Sequence, residues 1–224
     1  PANPAADNGP RYSPDGKRVA WRAQSKPGYE ADKWDILVAD VRPDGTLAGS
    51  QKNLTSAVDV SAGDIAWIED ASGKPAVAFL HEVAGTAAVG VARLDGTVAF
   101  HAWPGTPTAF STSGRAGAFL VARMDAPPEV FATAAVARSP DAPAPVAVSR
   151  ANDALLAGLD LPRPRVSLVP VEGGRQMHMW ILEPPGFDPA KKWPVVYLVH
   201  GGPQGAWEDG WSYRWNPELW AARG

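Results

Sequence analysis

Proline and glycine punctuate this chain densely enough to govern its fold: 23 prolines and 22 glycines fall among 224 residues. Between these breakers lie short apolar runs rich in β-formers, the pattern of many short strands joined by turns. Ser13-Pro14-Asp15-Gly16-Lys17 illustrates the logic. Proline presets φ at the first turn position, the aspartate bonds its own backbone, and glycine takes the positive φ. Arg18-Val19-Ala20-Trp21 then extends as a strand. A second strand, Trp34 to Val41, runs into another turn at Arg42-Pro43-Asp44-Gly45, and Lys52-Asn53-Leu54-Thr55 follows before a break.

The unit returns. Asp64-Ile65-Ala66-Trp67-Ile68 matches Arg18-Val19-Ala20-Trp21, and strands follow over 76–83, 87–94 and 98–100. A third copy starts near Gly117 and continues through Glu129-Val130-Phe131-Ala132 to 145–149. A repeat of roughly 45–50 residues with four short strands is the period of a β-propeller blade. Such a unit cannot bury its own faces and stacks on neighbours. An ordinary β-sandwich is the alternative. The turn aspartates read as turn formers, and His81 and His101, in strand-like stretches, as packed or solvated side chains.

Composition removes several function classes. Net charge is −3, so nothing electrostatic favours nucleic acid. Cysteine is absent, which excludes a disulfide framework and a cysteine nucleophile. The four histidines show no paired metal-ligand spacing, so no metal or cofactor is expected. The longest apolar runs are far short of a membrane span. Both chain ends read as cuts in a longer protein.

Character changes near residue 151. Residues 151–159 read as an exit from the last blade, and Leu161-Pro162-Arg163-Pro164-Arg165 is stiff and extended. Strands are predicted over 166–171 and 176–182 around a Glu172-Gly173-Gly174-Arg175 turn. Pro194 to Val199 reads as a continuous apolar strand buried on both faces. Asn216 suits an N-cap, Pro217 the first helical position, and Gly224 a helix end. Hairpin, buried strand, loop and helix are how an α/β sheet begins. The expected organisation is therefore the C-terminal blades of a β-propeller (all-β) over 1–155, then the N-terminal part of an α/β-hydrolase domain over 156–224.

The buried strand ends in His200-Gly201-Gly202-Pro203. Acyl transfer places negative charge on a former carbonyl oxygen, which preorganised backbone N–H groups stabilise. Glycines let backbone approach closely, so this is a plausible donor loop, although Gly-Gly-Pro alone is also simply a turn. The surrounding residues, from Trp180-Ile181-Leu182-Glu183-Pro184-Pro185-Gly186-Phe187 through Trp193-Pro194-Val195-Val196-Tyr197-Leu198-Val199-His200-Gly201-Gly202-Pro203-Gln204-Gly205-Ala206-Trp207 to Trp211-Ser212-Tyr213-Arg214-Trp215-Asn216-Pro217, closely resemble the prolyl oligopeptidase family of serine peptidases. The nearest resemblance is to its dipeptidyl-peptidase V and acylaminoacyl-peptidase branches. It is tight over 176–224 and looser over 9–150.

The resemblance implies a propeller capping an α/β-hydrolase domain, with short peptides as substrates and dipeptides released from free N-termini. Gly202 matches the position whose N–H enters the oxyanion hole, with His200, Gly201 and Pro203 shaping the loop. His200 is the motif's histidine, not the family's general base. Trp207, Trp211 and Trp215 fall near the substrate cavity in such enzymes, although their spacing of four also suits a packed face. Glu208 and Asp209 come into question as acceptors of a substrate amino group, but read better as solvated loop carboxylates. No G-x-S-x-G elbow is present. Nucleophile, acid and base are therefore expected in a C-terminal catalytic portion outside this chain. Homodimers are common in the family. The dipeptidyl-peptidase V branch, together with an Ala-, Arg- and Pro-rich composition, points to the periplasm or secretion, and the acylaminoacyl branch to the cytoplasm. The alternatives are an acylaminoacyl peptidase or oligopeptidase of the same family, or a non-catalytic propeller binding module.

Overall fold

The computed structural model describes residues 3–138, 143–202 and 204–224. Up to Ala147 the chain folds into three four-stranded antiparallel sheets, each a simple meander. The first holds β1 (Asp7–Tyr12), β2 (Arg18–Ala23), β3 (Asp35–Val41) and β4 (Leu47–Asn53). The second holds β5 (Ile65–Glu69), β6 (Pro75–Val83), β7 (Thr86–Arg93) and β8 (Val98–His101). The third holds β9 (Thr106–Ser113), β10 (Ala116–Arg123), β11 (Ala126–Thr133) and β12 (Val146–Ala147).

The turns form for the reasons their residues give. Asp15 Oδ1 accepts from Ser13 Oγ at 2.6 Å and from the Lys17 N–H at 3.1 Å, while Gly16 takes φ +69°. Asp44, Asp70 and Asp95 repeat the device with Thr46, Ser72 and Thr97. These bonds hold the carboxyls below their ordinary range; for Asp70, with the Ser72 hydroxyl as the main cause, the pKa falls to about 2. The turn aspartates are thus occupied as turn formers.

Sheet-on-sheet burial supplies the core. The central strand β6 is buried on both faces, and alternation divides its residues between them. Val77 and Phe79 join Ala20, Ile36, Val38 and Leu54 of the first sheet. Ala76, Ala78 and Leu80 join Phe119, Val121 and Val136 on the other side. Gly90 on β7 leaves room for the Phe79 ring: a Cβ there would lie 2.1 Å from Phe79 Cζ. The three leading strands lie side by side. Trp67 on β5 donates through Nε1 to the Arg11 carbonyl on β1 (2.8 Å), and its own carbonyl accepts from Thr112 Oγ1 on β9 (2.9 Å).

The repeat is present, but its register differs from the sequence expectation. Trp21 lies on the second strand of its sheet and Trp67 on the first strand of the next, so the two are not equivalent positions. Likewise Gly117 lies on the second strand of the third sheet, one residue past its start. The leading strands β1 (DNGPRY) and β9 (TPTAFSTS) carry proline and no Val, Ile or Leu, so the pattern starts one strand late.

After the sheets, Glu129 fastens the exit. Its carboxylate accepts from Ser149 Oγ and from the Asn152 N–H (3.0 Å) and Nδ2 (2.9 Å). One helical turn, α1 (Asp153–Leu156), precedes the hairpin β13 (Arg165–Pro170) and β14 (Gln176–Ile181), which is closed by a single 3-10 turn at Glu172–Gly174. Pro194 to Val199 forms no strand, contrary to expectation, and Val195 is 87% exposed. The physical reason is the lack of a neighbour: β13 and β14 pair with each other, and no described strand lies alongside to complete a ladder. The chain closes with α2 (Glu218–Ala221). Asn216 Oδ1 accepts the Glu218 N–H at 3.0 Å, and Gly224 takes φ +87°. No described helix is long and apolar enough to cross a membrane.

Candidate functional site

The β6–β7 hairpin tip, Ala84-Gly85, reaches out of the second sheet with positive φ at both residues (+48° and +72°). This is the two-residue turn that matches strand twist. Gly85 is required for a second reason. A Cβ there would sit 2.8 Å from both His178 Cε1 and Trp180 Nε1, so only glycine lets the tip dock on β14. His178 and Trp180 alternate along β14 and meet edge to face, with centroids 4.9 Å apart.

Trp180 then carries the fold forward: its Nε1 donates to the Trp207 carbonyl at 2.9 Å. Two residues on, the Asp209 N–H donates to the Gly85 carbonyl (2.7 Å), its carbonyl accepts from Thr106 Oγ1 (2.6 Å), and its Oδ1 accepts from the Met124 N–H (2.8 Å). The Trp207–Asp209 stretch is thereby held at the meeting point of the hairpin and the second and third sheets. Asn216 Nδ2 reaches the Met124 carbonyl (3.4 Å), so Met124 in the β10–β11 turn is gripped at both its N–H and its carbonyl.

Upstream of this anchor lies the His200–Gln204 loop. His200, Gly201 and Gly202 are exposed, and Pro203 lies outside the described residues. His200 Nδ1 is 2.8 Å from the Gly201 carbonyl. Gly202 has φ +140°, and a Cβ on it would approach Gln204 N to 2.8 Å. Among the described residues none accepts a hydrogen bond from the Gly202 N–H. The loop thus presents an exposed amide on a backbone path that a side chain would strain.

Beside it, β14, the 194–200 segment, Trp207 and α2 enclose a cavity of about 350 Å³. Met177, Met179, Leu182, Val196, Leu198 and Trp220 give it an apolar wall, with His178 and His200 as polar points. Of the three tryptophans singled out in sequence, Trp207 lines this cavity and Trp211 and Trp215 do not. Trp211 packs edge to face on Tyr213 (5.8 Å), and Trp215 stacks on Trp220 (6.2 Å).

Glu208 and Asp209 are not the solvated carboxylates the sequence implied. Both are half-buried. Asp209 is engaged as described, while Glu208 borders a smaller cavity of about 150 Å³ with Glu82. Burial chiefly, and the Glu82 charge secondarily, push the Glu208 pKa up. His81 is packed, with its ring 4.7 Å from that of Phe100, and desolvation lowers its pKa. Sequence reasoning missed the anchoring role of Asp209 and the burial of Glu218. Asp209-Gly210 is readable as a turn, but nothing local joins it to Thr106, 103 residues away. No group of metal-ligating side chains occurs among the described residues.

No family model matches the sequence. Its relatives are peptidases, and the likeness to them supports a fragment of the prolyl oligopeptidase family. The particular likeness is to dipeptidyl-peptidase 5; the protein of that name from Trichophyton schoenleinii is 30% identical over 226 residues, covering 98% of this chain and 29% of that protein. Among solved structures, the Pyrococcus horikoshii acylaminoacyl peptidase superposes with a TM-score of 0.70 at 19% identity, over 94% of this chain and 30% of that one. Porphyromonas gingivalis dipeptidyl peptidase 4 gives 0.62 at 19% identity, over 96% and 29%. At such identities these two establish the fold. The chain thus spans under a third of the length of the relatives it matches.

Proposed function

We propose that the whole protein carrying this chain is a serine exopeptidase that releases dipeptides from free peptide N-termini through an acyl-enzyme. The observation that carries this reading is the alignment of 98% of the chain with dipeptidyl-peptidase 5. Locally it is supported by the exposed Gly202, whose N–H finds no acceptor among the described residues. In this reading the three sheets are propeller blades, with β1, β5 and β9 as the inner strands, and residues 156–224 open the hydrolase domain.

The chemistry assigned to this chain is electrostatic. A serine outside it, activated by a histidine, attacks the scissile carbonyl, and water later releases the acyl group. The Gly202 N–H and the N–H following the serine hold the oxyanion. Each such donor is worth about 10²–10³ in rate. His200, Gly201 and Pro203 shape the loop, and Trp207 flanks the cavity where the peptide enters. We assign the protein to the periplasm or the exterior; cell fractionation tests that placement.

Fluorophosphonate labelling of the complete natural protein tests the chemistry. One labelled serine outside residues 1–224 is expected, and no labelled serine removes the enzyme reading in favour of a binding module. Dipeptidyl reporters are expected to be cleaved faster than acylaminoacyl ones; the reverse order selects the acylaminoacyl branch.

A further inference from the structure

We infer that Asp209 is a positioning residue: it clamps the loop presenting the Gly202 amide to the second and third sheets, and so fixes that amide relative to the face that meets substrate. This rests on the peptidase reading and extends it to a residue that does not touch the reacting atoms.

The clamp is built from every polar group Asp209 has. A tight three-residue turn centred on it, with the Gly210 N–H donating to the Glu208 carbonyl at 2.8 Å, points its backbone and side chain in different directions. The N–H goes to Gly85 at the β6–β7 tip, the carbonyl to Thr106 at the start of β9, and the carboxylate to Met124 at the end of β10. Thr106 spends its hydroxyl proton on Asp209, so the Thr86 hydroxyl, 2.8 Å away, donates to Thr106. That ties β7 into the same network. Thr106 and Met124 are almost fully buried, so their bonds to Asp209 are shielded from water and costly to lose.

The reach of this clamp follows from chain geometry. Two residues before Asp209, Trp207 is fixed by Trp180. On the other side of the loop, Val195, Val196, Tyr197 and Val199 are exposed, and the run pairs with no described strand. The loop is therefore held firmly from its C-terminal side. A misplacement of about 1 Å in a group of this kind costs about 10²-fold in rate.

The test compares the full-length wild type with Asp209→Ala, Asp209→Asn and Thr106→Val. Asparagine keeps an acceptor oxygen for the Met124 N–H. On a dipeptidyl reporter, Asp209→Ala is expected to lower kcat about 10–100-fold with KM within about twofold. Asp209→Asn restores most of that loss, and Thr106→Val falls between. If kcat per folded molecule is unchanged in Asp209→Ala, or if only KM responds, the inference is wrong. Hydrogen exchange gives a readout independent of hydrolysis. Exchange across residues 204–209 speeds up in Asp209→Ala while β6, β7 and β10 keep their protection; unchanged exchange overturns the clamp. Should the wild type neither take up fluorophosphonate nor cleave the reporter, the peptidase reading fails, and the exchange result alone decides the clamp.

Discussion

Glu218 sits 5% exposed on α2 with an Oε1 that receives no hydrogen bond among the described residues. Burial first, then the charges of Asp125 and Asp160, raise its pKa from an ordinary 4.5 to about 7. Asp125 is itself paired with Arg123 and Arg163, so little positive charge is left to favour the Glu218 anion. The sign follows from proton counting. Between about 4.5 and 7 the folded state holds a proton that the unfolded state releases, so stability falls as pH rises through that window. Urea midpoints at pH 5 and pH 8 are expected to drop for the wild type. Glu218→Gln, neutral throughout, flattens that drop; equal pH dependence in both proteins removes Glu218 as its source. Gly202 makes a kinetic prediction at the same scale. Its φ of +140° and the 2.8 Å approach of a Cβ to Gln204 N make even alanine strained, by about 1–3 kcal/mol. On the proposed peptidase reading, Gly202→Ala in the full-length protein is expected to cut kcat and slow fluorophosphonate labelling, with the strain also lowering the thermal midpoint by a few degrees.

At the scale of elements, the contact between β6 and β7 carries the centre of the core. Phe79 lies against Gly90, its partner across the ladder, so Gly90→Ala forces a methyl into the ring. Overpacking of this kind costs about 1–3 kcal/mol, read as a lowered urea midpoint with an unchanged m-value. A variant as stable as wild type would mean that the ring has room to move. The same strands show what the sequence could reveal. β6 and β7 were legible because their apolar runs are dense enough to be buried on both faces. β1 and β9 were not, because Pro10 and Pro107 sit in strands that lead their sheets. Pro194–Val199 failed in the opposite way. Its composition is right for a buried strand, but pairing is a property of neighbours, which composition cannot supply. The turns at Asp15, Asp44 and Asp95 were readable outright, since the aspartate's partners lie within two residues. The Asp209 contacts are all distant in sequence, and so left no local trace.

The whole molecule divides its apolar surface unevenly. Both large core clusters lie among the three sheets, between Ala20 and Ala137. From residue 194 onward the described buried positions are Asn216 and Glu218, both polar. Val195, Val196, Tyr197 and Val199 are 56–87% exposed in one short run. Such a row, with backbone donors and acceptors unpaired by any described strand, is the kind of surface that binds apolar dyes and associates with itself. With a net charge of only −3, long-range repulsion opposes that association weakly. The 224-residue chain is therefore expected to bind the dye ANS and to self-associate with rising concentration in sedimentation. Replacing Val195 and Tyr197 together by lysine is expected to reduce both. The thermal midpoint of the sheets should stay put, because neither residue touches their core and exposed substitutions usually change stability by less than about 0.5 kcal/mol. ANS binding that survives the double substitution would locate the sticky surface elsewhere, on the exposed Leu120 and Val146 of the third sheet. A midpoint that falls with it would mean that the 194–199 run supports the sheets, contrary to the separation of core and surface described here.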